Sequence, residues 1–553
     1  MQNLRVVLPN SSTIEVPYGT RVSELLEKTD VEKPAYPIAA ALVNNELTSL
    51  SFKIEVNCEL KLVTADSDQG ARVYRRSLCF LLMIAACDLF PDRRLIIGHS
   101  LGDSYYYHFD GIGLVDEADI ERMKRRMREL VGKQLPIQRS VISYTEALDY
   151  FQRTDQAASE LLLKYRNENK IAVYECGSYL DLSYGPLMTN TGQLDTFDLV
   201  PYPPGFLLRY PPTKTPNELG PFVDDPLLFS VYREYKQWGK VLNIHCAGNL
   251  NELIASKGIH EFIRVAEALH NKKIAEIADR VHDRRGSVKA VLIAGPSSSG
   301  KTTFTKKLAI QLRVTGFNPV SISLDDYFLS RDRTPRDERG ELDFEALEAI
   351  DVELLNDHLV RLFRGETVEI PEFDFKSGER RETGKKLTLP DRGILVMEGI
   401  HGLNERLTPL IPRDQKYTIY VSALTQLNLD DHNRISTTDN RLLRRMVRDY
   451  NFRGYSALTT LNRWPSVRRG EDRNIFPFQN NADSAFNSAL DYELAVLKTY
   501  AEPLLMTVKP YNPEYSEAIR LLTFLNNFAP LPPTFVPDES ILREFIGNSA
   551  FKY

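Results

Sequence analysis

The run Gly295-Pro296-Ser297-Ser298-Ser299-Gly300-Lys301-Thr302-Thr303 has residue types and spacing suited to holding a polyphosphate. Small residues let successive backbone N–H groups converge on anionic oxygens, and Lys301 adds a point charge for the terminal phosphates. The Thr302 hydroxyl is a hard oxygen donor suited to Mg²⁺. An apolar run, 290–294, precedes this loop and a helical pattern, 304–312, follows it. That helix would aim its N-terminal dipole at the same anion. Gly295, Ser297, Ser298, Ser299, Gly300, Lys301, Thr302 and Thr303 are therefore candidate binding residues for a nucleoside triphosphate and Mg²⁺.

Three further features narrow the chemistry. The run 319–324 ends in Asp325-Asp326, and a carboxylate at the C-terminal edge of a parallel strand can accept the proton of an attacking hydroxyl. The run 394–397 ends in Glu398, which suits a contact to Mg²⁺ or a substrate hydroxyl. An arginine-dense segment carries Arg441, Arg444, Arg445, Arg448 and Arg453; Arg441, Arg445 and Arg448 share one helical face by spacing. Arginines on a closing lid would stabilise the charge that phosphoryl transfer spreads over equatorial oxygens. Together these features point to phosphoryl transfer onto a small molecule. No Ser-His-Asp or Cys-His arrangement is legible, and the nine histidines show no metal-ligand spacing.

The elements that position these groups follow from the rest of the chain. Its 553 residues suffice for three or four domains, and its composition is that of an ordinary globular protein. A net charge of −6 argues against a general nucleic-acid binder. Five cysteines without a C-x-x-C pair argue against a disulfide framework and for a reducing cytoplasm. Residues 1–5 lack the apolar core of a leader, and the longest apolar run, 77–87, is too short to span a bilayer. A cytoplasmic protein without a membrane partner is expected.

Residues 1–66 read as a β-grasp domain: a strand at 4–8, a turn at 9–12, a returning strand, a helix over 22–29, and further strands at 40–47 and 59–63. Residues 67–240 read as an α+β region with helices over 76–90 and 117–135, strands at 95–98 and 104–109, and an irregular connection over 201–226. Residues 241–286 hold a bridging helix, 260–283, with apolar positions at period 3.6. From 287 to 530, short apolar runs at 288–294, 319–324, 393–397, 417–421 and 505–508 alternate with helices. That pattern predicts an α/β fold with a parallel sheet and helices on both faces. Residues 531–553 form a tail with apolar positions suited to docking.

The stretches 295–304, 323–328, 370–375, 396–400 and 441–454, in that order, resemble the uridine kinase / phosphoribulokinase family over about 287–530. The resemblance implies a P-loop kinase domain that uses ATP and Mg²⁺ to phosphorylate a substrate hydroxyl, most simply that of a nucleoside such as uridine. It implies Asp325 as the base, with Lys301, Arg448 and Arg453 acting on the phosphates and Arg445 on the nucleotide. It further implies Asp325, Tyr327, Asp343, Phe373 and Glu398 at the acceptor, and Thr302 with Glu398 at the metal. The family's base-reading His in a Tyr-Asp-Phe-x-x-His stretch is replaced by Gly378, and its Asp-His-Pro stretch is Asp343-Phe-Glu.

The N-terminal half resembles a second family, the threonyl-tRNA synthetases. Residues 1–66 are similar to their TGS domain, with 43–50 the clearest run, and 67–200 to their editing-type domain. That family's editing site uses three histidines and a cysteine; the matching positions are Arg76, Phe80, Ser183 and Leu187. No editing activity and no metal are expected there. The readings left open are a nucleoside kinase, a kinase of a non-nucleoside metabolite, and a nucleotide-dependent RNA-binding switch, with RNA binding not favoured. A homo-oligomer is expected.

Overall fold

The computed structural model describes residues 3–29, 34–336, 340, 342–374 and 377–553. Met1 and Gln2 of the leader reading, and Phe375 of the 370–375 motif, lie outside the described residues.

In the strand Asn3–Val7, Leu4 and Val6 point inward and Arg5 outward, the period-two alternation of a half-buried strand. It pairs antiparallel with Thr13–Pro17 and parallel with Cys58–Thr64. Ile38–Val43 and Glu46–Thr48 complete the five-stranded sheet, and Val22 and Leu25 of the helix Val22–Glu27 fill its core. This is the β-grasp arrangement. The stretch 40–47, expected as one strand, turns back on itself. Asn44 and Asn45 have φ of 51° and 61°, the left-handed pair that a two-residue hairpin turn requires.

The second unit is built around the helix Asp68–Leu89, whose segment 77–86 is buried all round. The side chain of Ser67 caps it, accepting from the Gly70 N–H at 3.1 Å. Against it lies an antiparallel sheet in the order Asp198–Tyr202, Gly205–Arg209, Ser104–Phe109, Leu95–Ser100. Part of 201–226, expected to be irregular, is thus a strand. Phe206, Leu207 and Leu208 are fully buried, and Pro201 sits on the edge strand, where a missing N–H is tolerated.

The C-terminal half holds a parallel sheet in the order Asn318–Ser323, Gly393–Glu398, Ala290–Ala294, Lys416–Ser422, Ser484–Asn487. Val291, Ile293 and Val396 pack on one face with Phe304 and Leu308 of the helix Lys301–Val314. Leu292, Leu395 and Met397 pack on the other with Leu355 and Leu359 of the helix Val352–Phe363. Burial on both faces explains the unbroken apolar strands. The run 505–508 is not a strand: Leu505 closes the helix Glu493–Leu505, whose buried Leu494, Leu497, Ala501 and Leu505 recur at helical spacing. The edge position belongs to Ser484–Asn487.

The N-terminal units are seated on this half. The Ile97 N–H donates to the Asp431 carbonyl at 2.9 Å, Asn428 Nδ2 to the Ile97 carbonyl at 2.8 Å, and Gln69 Nε2 to Ser516 Oγ at 2.7 Å. Among the described residues no helix is long and apolar enough to cross a membrane.

Candidate active site

Parallel registration brings three adjacent strand ends to one edge of the sheet. Ala290–Ala294 runs into the glycine-rich loop, Gly393–Glu398 ends in Glu398, and Asn318–Ser323 leads through the turn Leu324–Tyr327 to Asp325. Open α/β sheets bind ligands in the crevice at this edge. Here the crevice is a cleft of about 1770 Å³, lined by residues 297–302, Asp325, Asp343, Phe373, Glu398, Arg445, Arg448 and Arg453.

The loop's glycines are dictated by space and backbone angle. A Cβ on Gly295 would lie 2.0 Å from the Val421 carbonyl oxygen, and Gly300 caps the helix with φ of 81°. Gly295 therefore shapes the loop. Lys301 folds back across it, donating to the carbonyls of Gly295 and Pro296 at 2.8 and 3.2 Å.

Thr302 Oγ1 donates to Glu398 Oε1 at 2.9 Å. Burial raises the Glu398 carboxyl to about 7; Lys301 opposes the rise and the charge of Asp325 adds to it. Asp325 is also raised by burial, against the pull of Lys301, Arg453 and Arg448. Two carboxylates in one desolvated site resist simultaneous ionisation unless a cation joins them. A hydroxyl and carboxylates are the hard oxygen donors that Mg²⁺ takes together with phosphate and water. The residues present therefore fit the ion, with Thr302 and Glu398 the groups that would hold it.

The arginines divide into two sets. Arg445 donates to Ser297 Oγ at 2.9 Å. Arg448 and Arg453 flank the buried Asp449 at 3.8 and 3.3 Å, with a π-helical turn, Asp449–Arg453, setting their direction. Arg441 is a correction to the lid expectation. It is 1% exposed and held bidentately by Glu471 at 2.6 Å through both terminal nitrogens. Arg444, equally buried, is held by Glu493 at 2.5 Å and by the Ser488 carbonyl at 2.8 Å. These two guanidiniums brace the loop from behind.

Two further expectations are corrected. Tyr327 does not face the cleft: its ring is fully buried and its hydroxyl lies 3.0 Å from His358 Nδ1. Thr303 is taken by the C-terminal tail. Its N–H and O–H both donate to Glu544 Oε2, at 3.1 and 2.7 Å, and its hydroxyl is 2.8 Å from that of Tyr553. Asp343 and Phe373 do line the cleft.

Four acids that shape the site escaped the sequence reading: Glu345, Glu471, Glu493 and Glu544. Glu345 lines the cleft, and burial, reinforced by the charge of Glu471, raises it to about 7. Glu471 also accepts the Ser297 N–H at 3.1 Å. Glu544 left a signal: with Arg543 it is a buried charged residue between the apolar pairs Ile541, Leu542 and Phe545, Ile546.

Arg76, Phe80, Ser183 and Leu187 line a second cleft, of about 1280 Å³. Among the described residues no group of three or more His, Cys, Asp or Glu is placed to hold a metal ion.

A glycine-rich phosphate loop, two strand-end acids and an arginine-bearing helix on a parallel sheet define a kinase domain of the phosphate-loop class. Residues 290–495 match the model of the Phosphoribulokinase / Uridine kinase family. The N-terminal region is similar to threonine–tRNA ligases. It is 31% identical over 198 residues to that of Desulforamulus reducens, covering 36% of this chain and 31% of the relative. It is 33% identical over 193 residues to that of Carboxydothermus hydrogenoformans, covering 35% and 30%. The chain thus spans under a third of the length of these curated relatives. Among solved structures, a possible uridine kinase from Bacillus stearothermophilus aligns over 39% of this chain and 100% of its own, at 16% identity and a TM-score of 0.26.

Proposed function

We propose that the protein transfers the terminal phosphoryl group of ATP to a hydroxyl of a small molecule, a nucleoside such as uridine. The observation that carries this reading is the placement of Asp325 beside the phosphate loop, in the field of Lys301, Arg448 and Arg453. A carboxylate there can take the proton of an attacking hydroxyl, and the three cations can stabilise the charge that develops on the phosphoryl oxygens. Mg²⁺, held by Thr302 and Glu398, would neutralise the polyphosphate. Positioning and electrostatics supply most of the rate in such transfers, so no nucleophilic side chain is needed. A panel of nucleosides, polyols and pantothenate incubated with labelled ATP tests the proposal. Transfer to uridine supports it, and absence of transfer to every acceptor refutes it.

One observation favours a second reading, a kinase of a non-nucleoside acceptor. Gly378 stands where the family's base-reading His is expected, with φ of 72°, and a Cβ there would fall 2.0 Å from Arg331 Nε. A guanidinium thus crowds the position from which a uracil would be read. Arg331 and Arg336 line the same part of the cleft, which suits an acceptor carrying an anionic group. Phosphorylation of an anionic polyol in the panel, with nucleosides inert, would select this reading.

A further inference from the structure

The second cleft runs between the helix Asp68–Leu89 and the 430s loop of the C-terminal half. Arg76 and Arg434 line it from opposite sides. Neither guanidinium has a carboxylate within ion-pair distance among the described residues. Among the described residues the side chain of Arg76 makes one hydrogen bond, to the Pro186 carbonyl at 3.2 Å, and Arg434 stacks on Tyr105 at 5.3 Å. Nearby acids are taken by other partners: Asp181 by His432 at 2.6 Å, and Asp439 and Glu517 by Arg520 at 2.7 and 2.6 Å.

The surroundings of Arg76 make its isolation costly. Burial, together with the charges of Arg520 and Arg72, lowers the guanidinium to about 10. Arg434 also acts on His99, a buried imidazole whose Nδ1 has no hydrogen-bond partner and which is held neutral. Cys79 lines the same cleft as Arg76 and Arg434, and both guanidiniums act electrostatically on its buried thiol. Gly185 makes room for this arrangement: a Cβ there would lie 2.4 Å from Arg76 Nη1. Proteins seldom keep a largely desolvated cation such as Arg76 without a counter-charge, because burial disfavours the charged form. Phe80, Tyr105 and Leu187 supply an apolar wall beside the two charges.

We propose that this cleft binds a small organic anion, a phosphate monoester or a carboxylate, whose head group sits between Arg76 and Arg434 and whose body lies on Phe80, Tyr105 and Leu187. The head-group site between Arg76 and Arg434 is independent of which acceptor the kinase domain uses. The cleft extends to Pro296 and Arg441 behind the loop, so its occupant and the nucleotide would share a wall.

Calorimetric titration of the full chain tests this, with inorganic phosphate and acetate as probes and Lys301→Ala present throughout to weaken phosphate binding at the loop. Saturable binding of either probe, weakened at least tenfold by Arg76→Gln and by Arg434→Gln but unchanged by Arg453→Ala, is expected. Binding of phosphate alone points to a phosphate monoester, and binding of acetate to a carboxylate. No binding of either probe at millimolar concentration, or equal binding by both glutamine variants, overturns the proposal. Thermal unfolding without added anion guards against misfolded variants. Arg76→Gln is expected to match or exceed the parent, since it removes an uncompensated charge. A large fall in its midpoint would assign Arg76 to folding and overturn its role in binding.

Discussion

The Glu544 carboxylate accepts both the N–H and the O–H of Thr303, so an acid from the C-terminal tail occupies the first turn of the phosphate-loop helix. Helix N-termini favour negative charge, and this one is already partly satisfied before a nucleotide arrives. Ile541 reinforces the contact, lying where a Cβ on Gly300 would be, at 2.5 Å.

Glu544→Ala should therefore tighten nucleotide binding. Removing one like charge beside a polyphosphate is worth about 1 kcal/mol, roughly fivefold in affinity. Leaving Thr303 without its acceptor should cost about 1–3 kcal/mol of stability. Calorimetry with an ATP analogue and thermal unfolding measure the two effects separately. Unchanged affinity alongside lost stability would reduce the tail to a structural strut.

Asp325→Asn should lower turnover by roughly 10²–10⁴-fold, the range of a general base, once an acceptor is identified. Nucleotide affinity should stay within about twofold, because Lys301 and the loop N–H groups are untouched. Turnover like that of the parent enzyme would remove Asp325 from the role of base.

The two arginine sets should respond in opposite ways. Glu471→Gln leaves Arg441 buried without its carboxylate and should cost about 3–5 kcal/mol of stability. Arg453, whose side chain is 45% exposed, should cost little stability when changed to Ala but should lower turnover at least tenfold. Chemical denaturation and initial rates, run on both variants, check the contrast.

The junction of the N-terminal half with the kinase domain should weaken in alkali. His432 Nδ1 lies 2.6 Å from Asp181, whose charge, with those of Asp430 and Asp431, overcomes burial and raises the imidazole from 6.5 to about 9. Because the folded value lies above the unfolded one, this stabilisation is complete below pH 6.5 and is lost as pH rises through about 9. Melting temperatures from pH 6 to 10 should fall more steeply for the parent than for His432→Asn. Parallel curves would exclude the pair as their source.

What the sequence made legible was local. The run 290–303 declares a strand, a loop and a helix within a few residues, because apolar continuity, glycine placement and the Lys-Thr pair are all short-range signals. Glu471, Glu493 and Glu544 were not legible as partners of Arg441, Arg444 and Thr303. They lie 30, 49 and 241 residues away, and charge complementarity at that separation leaves no periodic trace. The arginine spacing put Arg441, Arg445 and Arg448 on one helical face, but spacing does not say which of them reaches the cleft and which the core. The missed edge strand Ser484–Asn487 has one large apolar residue, Phe486, whereas 505–508 looked like a strand because four apolar-rich residues suit either a strand or the end of a buried helix.

The tail that carries Glu544 also bears on how the molecule can be divided. The family match stops at 495, yet Ile541, Leu542, Phe545 and Ile546 belong to the same apolar core as Phe304 and Leu308 of the phosphate-loop helix. A fragment trimmed to the recognisable kinase sequence would expose that core and leave Thr303 without its acceptor. The unit that is inherited as a family and the unit that folds are different lengths of chain, so an expression fragment of the kinase half should run through the tail.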